Sequence, residues 1–253
     1  MSAMSEPYQE ARALINRAVY IQEVDEKPEE ALPLFQSAVD LAPDWWETWQ
    51  RLGSVLRDLK RYQEALDAYD RALGLVSTTF DRSGVLSFKA SVLLRMERNT
   101  ETVEVADQGL ALREYVLLMD IKGKALLRLD RPAEALATYE RSVAGDKPFY
   151  PGWVGKGQAL IALRRYEEAL EALNTPISMS SMNPDAWYYK AIALAKLGRY
   201  PKALSTLDTA LKIQPDYPGA RRLRQRLVKK TAADRQRGRD HRHGRLDDSR
   251  RDR

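Results

Sequence analysis

The chain contains two histidines, His241 and His243, and both lie in an arginine-rich stretch near its C-terminal end. It contains no cysteine. A serine or cysteine nucleophile needs an adjacent base, usually histidine, and zinc sites are built mainly from histidine and cysteine. The sequence therefore predicts neither nucleophilic catalysis nor a metal site in the folded part of the chain. The two tail histidines alone would form a weak metal site.

Two other patterns could in principle bind phosphate or transfer protons. The run "GKGQAL" from Gly155 lacks the glycine spacing of a phosphate-binding loop, and we interpret Gly157 as a helix-packing position. The adjacent carboxylates Glu167 and Glu168 stand at a turn into a helix, where negative charge stabilises the helix N-terminus. We therefore expect no enzymatic activity, no catalytic residues and no cofactor.

The net charge is concentrated at one end of the chain. Residues 229–253 carry ten Lys and Arg against five Asp, which accounts for the whole net charge of +5. The remaining residues are neutral overall, so a basic, nucleic-acid-binding body is excluded. No apolar run approaches the roughly 18 residues of a membrane span, and the N-terminus lacks the basic and apolar regions of a secretory signal. We expect a cytoplasmic protein.

One phrase of sequence recurs at a spacing close to 34 residues. "RYQEALDAYDRAL" begins at Arg61, and close copies begin at Arg165 and Arg199. Aligned on Ala65, small residues recur at Ala31, Thr102, Ala135, Ala169 and Ala203. A second series of small residues lies about twelve positions earlier, at Gly53, Ala90, Gly123, Gly157 and Ala191. Repeats in register over several periods indicate an array of similar structural units.

Each period predicts a helical hairpin. An apolar stripe at helical spacing from Trp49 to Leu59 is followed by a short polar turn and a second stripe from Tyr62 to Leu73. Small residues at Gly53 and Ala65 allow two antiparallel helices to approach closely. One hairpin cannot bury both stripes alone, so the hairpins must stack on their neighbours.

The pattern "W-x-x-L-G-x-x-L" from Trp49, "Y-x-x-A-L-x-x-Y-x-x-A-L" from Tyr62 and the closing prolines resemble the tetratricopeptide repeat. The resemblance covers residues 12–217 and implies an all-α, right-handed superhelical solenoid of about six stacked hairpins. We place the repeats near 12–45, 46–79, 83–116, 116–149, 150–183 and 184–217. The first repeat has Ile15 where the leading Trp is usual, and the third is degenerate, with Leu86, Thr102 and Gly109 at pattern positions.

The sequence also predicts the structure of the segments on either side of the array. Residues 1–11 are expected to form an N-terminal extension. Residues 218–230 read as a cap helix with Leu223 and Leu227 on one side, since repeat arrays need a polar-faced terminal helix. Residues 231–253 have one leucine and no aromatic residue, so we expect an Arg-rich disordered tail.

Two departures from the repeat bear on its shape. The segment "VSTTFDRSG" between the second and third repeats adds three residues, where we expect the pitch of the superhelix to change. Pro176 lies within the second helix of the fifth repeat, and we expect that helix to stop near Asn174. The following "ISMSSMNPD" then forms an irregular bridge with Met179 and Met182 exposed, as either a tolerated loop or an adaptable apolar contact site.

The resemblance also implies a function. In this family the first helices line a concave groove, and their non-core side chains contact a peptide or helix of a partner protein. Carrying those positions over gives the candidate binding residues Arg51, Arg57, Phe88, Arg95, Lys124, Arg128, Tyr188 and Tyr189. Arginine and aromatic side chains carry much of the binding energy at interfaces. We therefore predict a non-catalytic protein-interaction scaffold, with solvated or neighbour-packing faces as the alternative for each residue.

A second function stays open at this point. Four arginines precede the tail, so a basic helix leads into a basic arm that could neutralise the phosphates of a nucleic acid or an anionic membrane. These candidate tail contacts are Arg221, Arg222, Arg224 and Arg226. Five interspersed aspartates dilute this charge, and no aromatic residue in the tail can stack on bases. The sequence does not decide the oligomeric state.

Overall fold

The periodic apolar stripes form helices throughout the computed structural model, which describes residues 6–145, 149–217 and 219–233. Within these ranges every regular element is an α-helix, so the predicted all-α class is confirmed. The helices are α1 (Glu6–Glu23), α2 (Pro28–Leu41), α3 (Trp46–Asp58), α4 (Tyr62–Leu75), α5 (Thr79–Arg95), α6 (Asn99–Leu112), α7 (Val116–Arg128), α8 (Pro132–Val143), α9 (Tyr150–Ala162), α10 (Tyr166–Met179), α11 (Pro184–Lys196), α12 (Tyr200–Ile213) and α13 (219–233).

The helices divide between two compact units. The N-terminal unit is Met1–Ser142 and the C-terminal unit is Val143–Arg253. In the N-terminal unit α1 packs on α2, α3 on α4 and α5 on α6, and in the C-terminal unit α9 packs on α10 and α11 on α12. The second helix of one hairpin then contacts the first helix of the next, as α2 contacts α3 and α10 contacts α11. Stacked helical hairpins, predicted from the repeat, are therefore observed in each unit.

Small residues set the distance between paired helices. A Cβ atom added to Gly53 of α3 would lie 2.7 Å from Cε1 of Tyr69 in α4, and Tyr69 is fully buried. In α9 a Cβ on Gly157 would lie 2.6 Å from Cγ of Leu173 in α10. Real Cβ atoms do not approach other carbons so closely, because packed interiors leave no such room. The interpretation of Gly157 as a helix-packing position is confirmed.

The turn between the two helices of each hairpin has a regular construction. The residue just before the N-cap of the second helix has a left-handed backbone conformation. Its φ is 61° at Lys60, 61° at Arg164 and 75° at Gly198. This conformation terminates a helix and satisfies its last carbonyl groups. The same φ sign occurs at Glu26, Glu97 and Asp130.

An arginine directly after this residue pairs with a glutamate three positions later. Arg61 Nε donates to Glu64 Oε1 at 2.7 Å, and its second nitrogen contacts the other carboxylate oxygen. The hydrogen bond from Arg61 lowers the pKa of Glu64. The same pair recurs as Arg98–Glu101, Arg131–Glu134 and Arg165–Glu168. These repeated charges belong to the hairpin turns.

The prediction that the fifth repeat's second helix stops near Asn174 is wrong. Helix α10 continues through Pro176 to Met179, where the carbonyl oxygen of Pro176 accepts the amide hydrogen of Ser180 at 2.9 Å. Proline removes one backbone donor from the helix. Burial of the Pro176 ring offsets this loss, because the ring adds apolar contact on the same side as Leu173. The irregular bridge shrinks to residues 180–183, and Met179 and Met182 are exposed as expected.

Two other boundaries differ from the sequence-based expectation. Helix α1 begins at Glu6, so residues 6–11 belong to the first helix and not to a separate extension; Ala11 is fully buried in that helix. The three extra residues before the third repeat lengthen α5, because Thr78 accepts the amide hydrogen of Asp81 and caps a helix that starts at Thr79. Residues 1–5, and 234–253 of the expected tail, lie outside the described residues.

Candidate functional site

The N-terminal unit contains a polar pocket of about 440 Å³ between α1, α3 and α5. We call it the α1–α3–α5 pocket. Its lining residues are Gln22, Glu23, Glu26, Gln50, Arg51, Ser54, Arg57, Asp58 and Phe88. Because neighbouring first helices lie side by side, their outward-facing residues meet across a shallow gap. Three of the predicted binding residues, Arg51, Arg57 and Phe88, are brought together here.

Hydrogen bonds hold most of the polar side chains of this pocket in place. Gln22 Nε2 donates to Asp58 Oδ2 at 2.6 Å, and Arg57 Nε donates to Asp58 Oδ1 at 2.9 Å. Earlier in α3, Gln50 Nε2 donates to Ser54 Oγ at 3.2 Å. Arg57 is therefore part of a fixed network that joins α1 to α3, with its charge partly neutralised by Asp58.

Arg51 is held less firmly than the side chains of this network. One of its terminal nitrogens lies 3.5 Å from Glu47 Oε1, a contact at the outer limit of an ion pair. Its Nε atom is buried and has no acceptor among the described residues. A buried donor without an acceptor costs free energy, on the order of 1–3 kcal/mol. Arg51 therefore presents an unsatisfied hydrogen-bond donor beside the pocket.

Phe88 supplies the aromatic surface of the pocket. Its ring is half-buried and lies parallel to the ring of Tyr69, with centroids 6.1 Å apart and an interplanar angle of 16°. The Tyr69 hydroxyl lies 3.4 Å from Ser54 Oγ, so Phe88 rests on a residue that is itself fixed. The pocket thus combines a rigid aromatic face with donors and acceptors of both charge signs.

The other predicted residues of this unit do not share the pocket. Arg128 donates to the backbone carbonyl of Leu94 at 2.7 Å and so covers the C-terminal end of α5. Lys124 pairs with Asp120 at 2.6 Å on the same helix. Arg95 is exposed, and none of the described residues pairs with its side chain. Their role in binding stays a prediction, with a structural contact already evident for Arg128.

In the C-terminal unit Tyr188 and Tyr189 lie on α11 with ring centroids 5.1 Å apart. Tyr188 also packs on Tyr217, at 5.0 Å between centroids. Burial raises the pKa of Tyr189 to about 12, and the nearby Asp185 charge adds to the shift. The Tyr217 hydroxyl donates to Asp185 Oδ1 at 2.6 Å; burial, and then this hydrogen bond, raise the pKa of Tyr217. The aromatic pair is largely a packing element of this unit.

The four arginines predicted as tail contacts all lie on α13. Arg221 pairs with Asp216 at 2.8 Å and Arg224 with Asp208 at 2.6 Å. Arg222 and Arg226 instead line a cavity of about 490 Å³ beside Tyr188. Two of the four charges are therefore neutralised within the unit, which weakens the case for a continuous basic surface.

Sequence reasoning missed the contribution of α1 to the N-terminal pocket. Gln22, Glu23 and Glu26 line it, and Gln22 holds Asp58. A signal was present, because the 34-residue spacing aligns Glu23 with Arg57. The binding residues predicted from the sequence begin in the second repeat, so they do not include these three positions.

Metal-binding clusters, membrane-spanning helices and paired carboxylates were the other features of interest in the described part of the chain. No group of three or more Asp, Glu, His or Cys side chains in these residues could hold a metal ion. None of the described helices combines the length and the apolar character required to span a membrane. The adjacent Glu167 and Glu168 pair with Arg199 and Arg165, which accounts for both carboxylates.

The repeated hairpins and their small-residue contacts define a helical-repeat protein. The family model of the tetratricopeptide repeat matches residues 23–78, 122–175 and 154–218, which is more than half of the chain. The chain therefore belongs to the tetratricopeptide repeat family. A comparison with curated proteins finds no match.

Solved structures with a similar fold include other tetratricopeptide repeat proteins. A chain of the APC/C hetero-tetramer Cut9–Hcn1 is 20% identical with a TM-score of 0.72; the match covers 87% of this chain and 43% of that one. YrrB, described as having an unusual peptide-binding site, is 23% identical with a TM-score of 0.57, over 76% and 97% of the two chains. A protein from Parabacteroides merdae is 16% identical with a TM-score of 0.73, over 88% of both. At these identities the similarity shows the fold alone.

Proposed function

We propose that this protein is a non-catalytic scaffold that binds a segment of a partner protein, and that the α1–α3–α5 pocket contacts that segment. Membership of the tetratricopeptide repeat family supports a protein partner. The observation that carries the proposed site is Arg51, a residue that lines the pocket and whose buried Nε has no acceptor among the described residues. A carbonyl or carboxylate oxygen of a bound peptide would satisfy it.

The composition of the pocket favours a peptide over a nucleic acid. Its lining carries the acidic side chains Glu23, Glu26 and Asp58 beside the two arginines. Acidic groups repel a phosphate backbone, whereas a peptide offers both donors and acceptors along its main chain. Phe88, supported by Tyr69, provides a flat apolar face for one side chain of the segment.

A charge reversal at Arg51 tests this proposal. Peptides selected from a random phage-displayed library on the wild-type protein are synthesised with a fluorophore, and their affinities are measured by fluorescence polarisation. We expect Arg51→Glu to weaken binding about tenfold or more, because a charge-assisted hydrogen bond is replaced by repulsion. Circular dichroism should show unchanged helical content, since the Arg51 contact to Glu47 is weak.

The matched control is Arg71→Glu. Arg71 is exposed on α4 of the same unit, none of the described residues pairs with it, and the change in net charge is identical. We expect the selected peptides to bind this variant like the wild type. Selected peptides that bind Arg51→Glu with wild-type affinity would exclude the pocket as the site. Failure to select any peptide would contradict binding of a short protein segment.

A further inference from the structure

Helix α13 carries arginines of two kinds. Arg221 and Arg224 form ion pairs with Asp216 and Asp208, which lie in the preceding turn and on α12. Arg222 and Arg226 are exposed, and none of the described residues forms a hydrogen bond or an ion pair with them. Two arginines of the helix are therefore paired with aspartates of the C-terminal unit, and two are left without counter-charges.

The unpaired arginines share one face of the helix with a lysine. Residues 222, 226 and 229 are spaced by four and three positions, which places them on one side of an α-helix. Together with Tyr188, Gly219 and Gln225 they line the cavity of about 490 Å³. A second cavity, of about 350 Å³, shares Tyr188 and Arg226 and adds Lys196 of α11. None of the described residues that line either cavity is acidic. We call the first of these, which is lined by Arg222, Arg226 and Lys229, the α11–α13 cavity.

Tyr188 forms a rigid wall of this cavity. Its ring is fixed by Tyr189 and Tyr217, and a Cβ atom on Gly219 would lie only 2.8 Å from its Cζ and hydroxyl oxygen. Its hydroxyl group has no hydrogen-bond partner among the described residues. The cavity therefore presents one fixed hydroxyl donor, two guanidinium groups and one ammonium group, without an anion to balance them.

We propose that the α11–α13 cavity binds a cluster of aspartate or glutamate side chains on a segment of a partner protein. The guanidinium groups of Arg222 and Arg226 are planar forks that pair with carboxylates through two hydrogen bonds each. Lys229 adds a point charge, and the Tyr188 hydroxyl donates to a further oxygen. Two or three carboxylates match the number of unpaired cations in this cavity.

Two other anionic occupants fit this surface less well. A nucleic acid needs a continuous row of cations along its phosphates, but Asp208 and Asp216 neutralise the neighbouring arginines and interrupt such a row. The chain's own residues 234–253 carry eight arginines against five aspartates, so their net charge opposes binding to a cationic cavity. The isolated cluster of unpaired cations favours a short acidic motif.

A peptide-binding experiment on the full chain tests this site. The probe is a fluorescein-labelled synthetic peptide of Asp, Glu, Gly and Ser, and its control has Asn and Gln at the acidic positions. Binding is measured by fluorescence polarisation at about 0.1 M salt, where exposed long-range attraction is screened. We expect the acidic peptide to bind the wild type, and the double variant Arg222→Gln, Arg226→Gln to lose about tenfold or more in affinity.

The matched control removes the same charge from the same helix. Arg221→Gln, Arg224→Gln changes only the arginines that are paired with aspartates, and we expect its affinity to fall less than about threefold. Tyr188→Phe keeps the ring that packs against Gly219 and removes the hydroxyl donor. A loss of peptide affinity in this variant, smaller than that of the Arg222→Gln, Arg226→Gln variant, supports a direct contact of the hydroxyl with the peptide.

Several outcomes would overturn the proposal. Equal losses in the two double variants would indicate attraction by net charge and not a site. Equal binding of the Asn and Gln peptide would exclude carboxylate recognition. A single-stranded oligonucleotide that binds more tightly than the peptide, with the same dependence on Arg222 and Arg226, would assign the cavity to nucleic acid.

Discussion

The contact between Gly53 and Tyr69 predicts opposite effects of the same substitution at two glycines. In Gly53→Ala the new methyl group would lie 2.7–3.0 Å from three atoms of the Tyr69 ring. Tyr69 is fully buried and lies against Phe88, so its ring has little room to move. Forcing an extra carbon into a packed core costs about 1–3 kcal/mol. The alanine regains about 1 kcal/mol of helix propensity, so the expected net loss is up to about 2 kcal/mol.

Gly84 provides the comparison. It lies in the interior of α5, a first helix of the same unit, and a Cβ atom there would meet no neighbouring atom within 4 Å. Gly84→Ala should therefore stabilise the protein by about 1 kcal/mol through helix propensity alone. The difference between the two variants isolates the steric cost at Tyr69, because the propensity gain cancels.

Urea denaturation followed by circular dichroism measures both effects. We expect the midpoint of Gly53→Ala to fall and that of Gly84→Ala to rise, with an unchanged dependence on urea. In a Tyr69→Val background, which removes the ring, Gly53→Ala should no longer destabilise the protein. If both alanine variants shift the midpoint in the same direction, the close approach of the two helices does not control stability, and the reasoning is refuted.

Three further substitutions test the hairpin turns and the aromatic packing. Arg164 has φ of 61°, a backbone conformation that costs a side-chain-bearing residue about 1–2 kcal/mol, so Arg164→Gly should stabilise the protein by about 0.5–1 kcal/mol in thermal unfolding. Gly198→Ala is the reverse change at φ of 75° and should destabilise; a lower melting temperature for Arg164→Gly would contradict this. Because the pKa of Tyr189 is raised to about 12, above the roughly 10 of an unfolded tyrosine, its contribution to stability should be complete below pH ~10 and decline as the pH rises towards 12. In an absorbance titration at alkaline pH, Tyr189→Phe should show one late-ionising tyrosine fewer than the wild type. An unchanged titration would exclude the assignment of the raised pKa to Tyr189.

The repeat allowed most of the fold to be predicted from sequence. Large and small apolar residues recur at fixed positions. The packing of one hairpin, in which Gly53 lies against Tyr69, therefore predicts the packing of the others. The break expected at Pro176 failed for a physical reason: local backbone chemistry disfavours proline inside a helix, but burial of its ring supplies tertiary contacts that the local pattern does not contain. The extra turn of α5 was likewise hidden, because Thr78 acts as a cap only when its side chain accepts the Asp81 amide hydrogen.

The candidate sites could be predicted only in part. The sequence placed Arg51, Arg57 and Phe88 on outward positions of first helices, and the structure brings them to one pocket. It could not separate paired from unpaired charges, because pairing depends on residues distant in the chain. Arg128 reaches a carbonyl group 34 positions away, and Arg224 reaches Asp208 on the previous helix.

Charges that repeat and charges that do not repeat have different uses in this chain. At four hairpin turns an arginine pairs with the glutamate three residues later, and these pairs recur because every hairpin needs the same turn. Arg222 and Arg226 have no such counterpart among the described residues, whereas Arg51 has a 3.5 Å contact to Glu47 and a buried Nε without an acceptor. Because Arg222 and Arg226 are exposed and have no partner among the described residues, they contribute little to stability and can be replaced without loss of the fold. Variants at these positions should therefore change what the protein binds while the melting temperature stays constant, which separates recognition from folding experimentally.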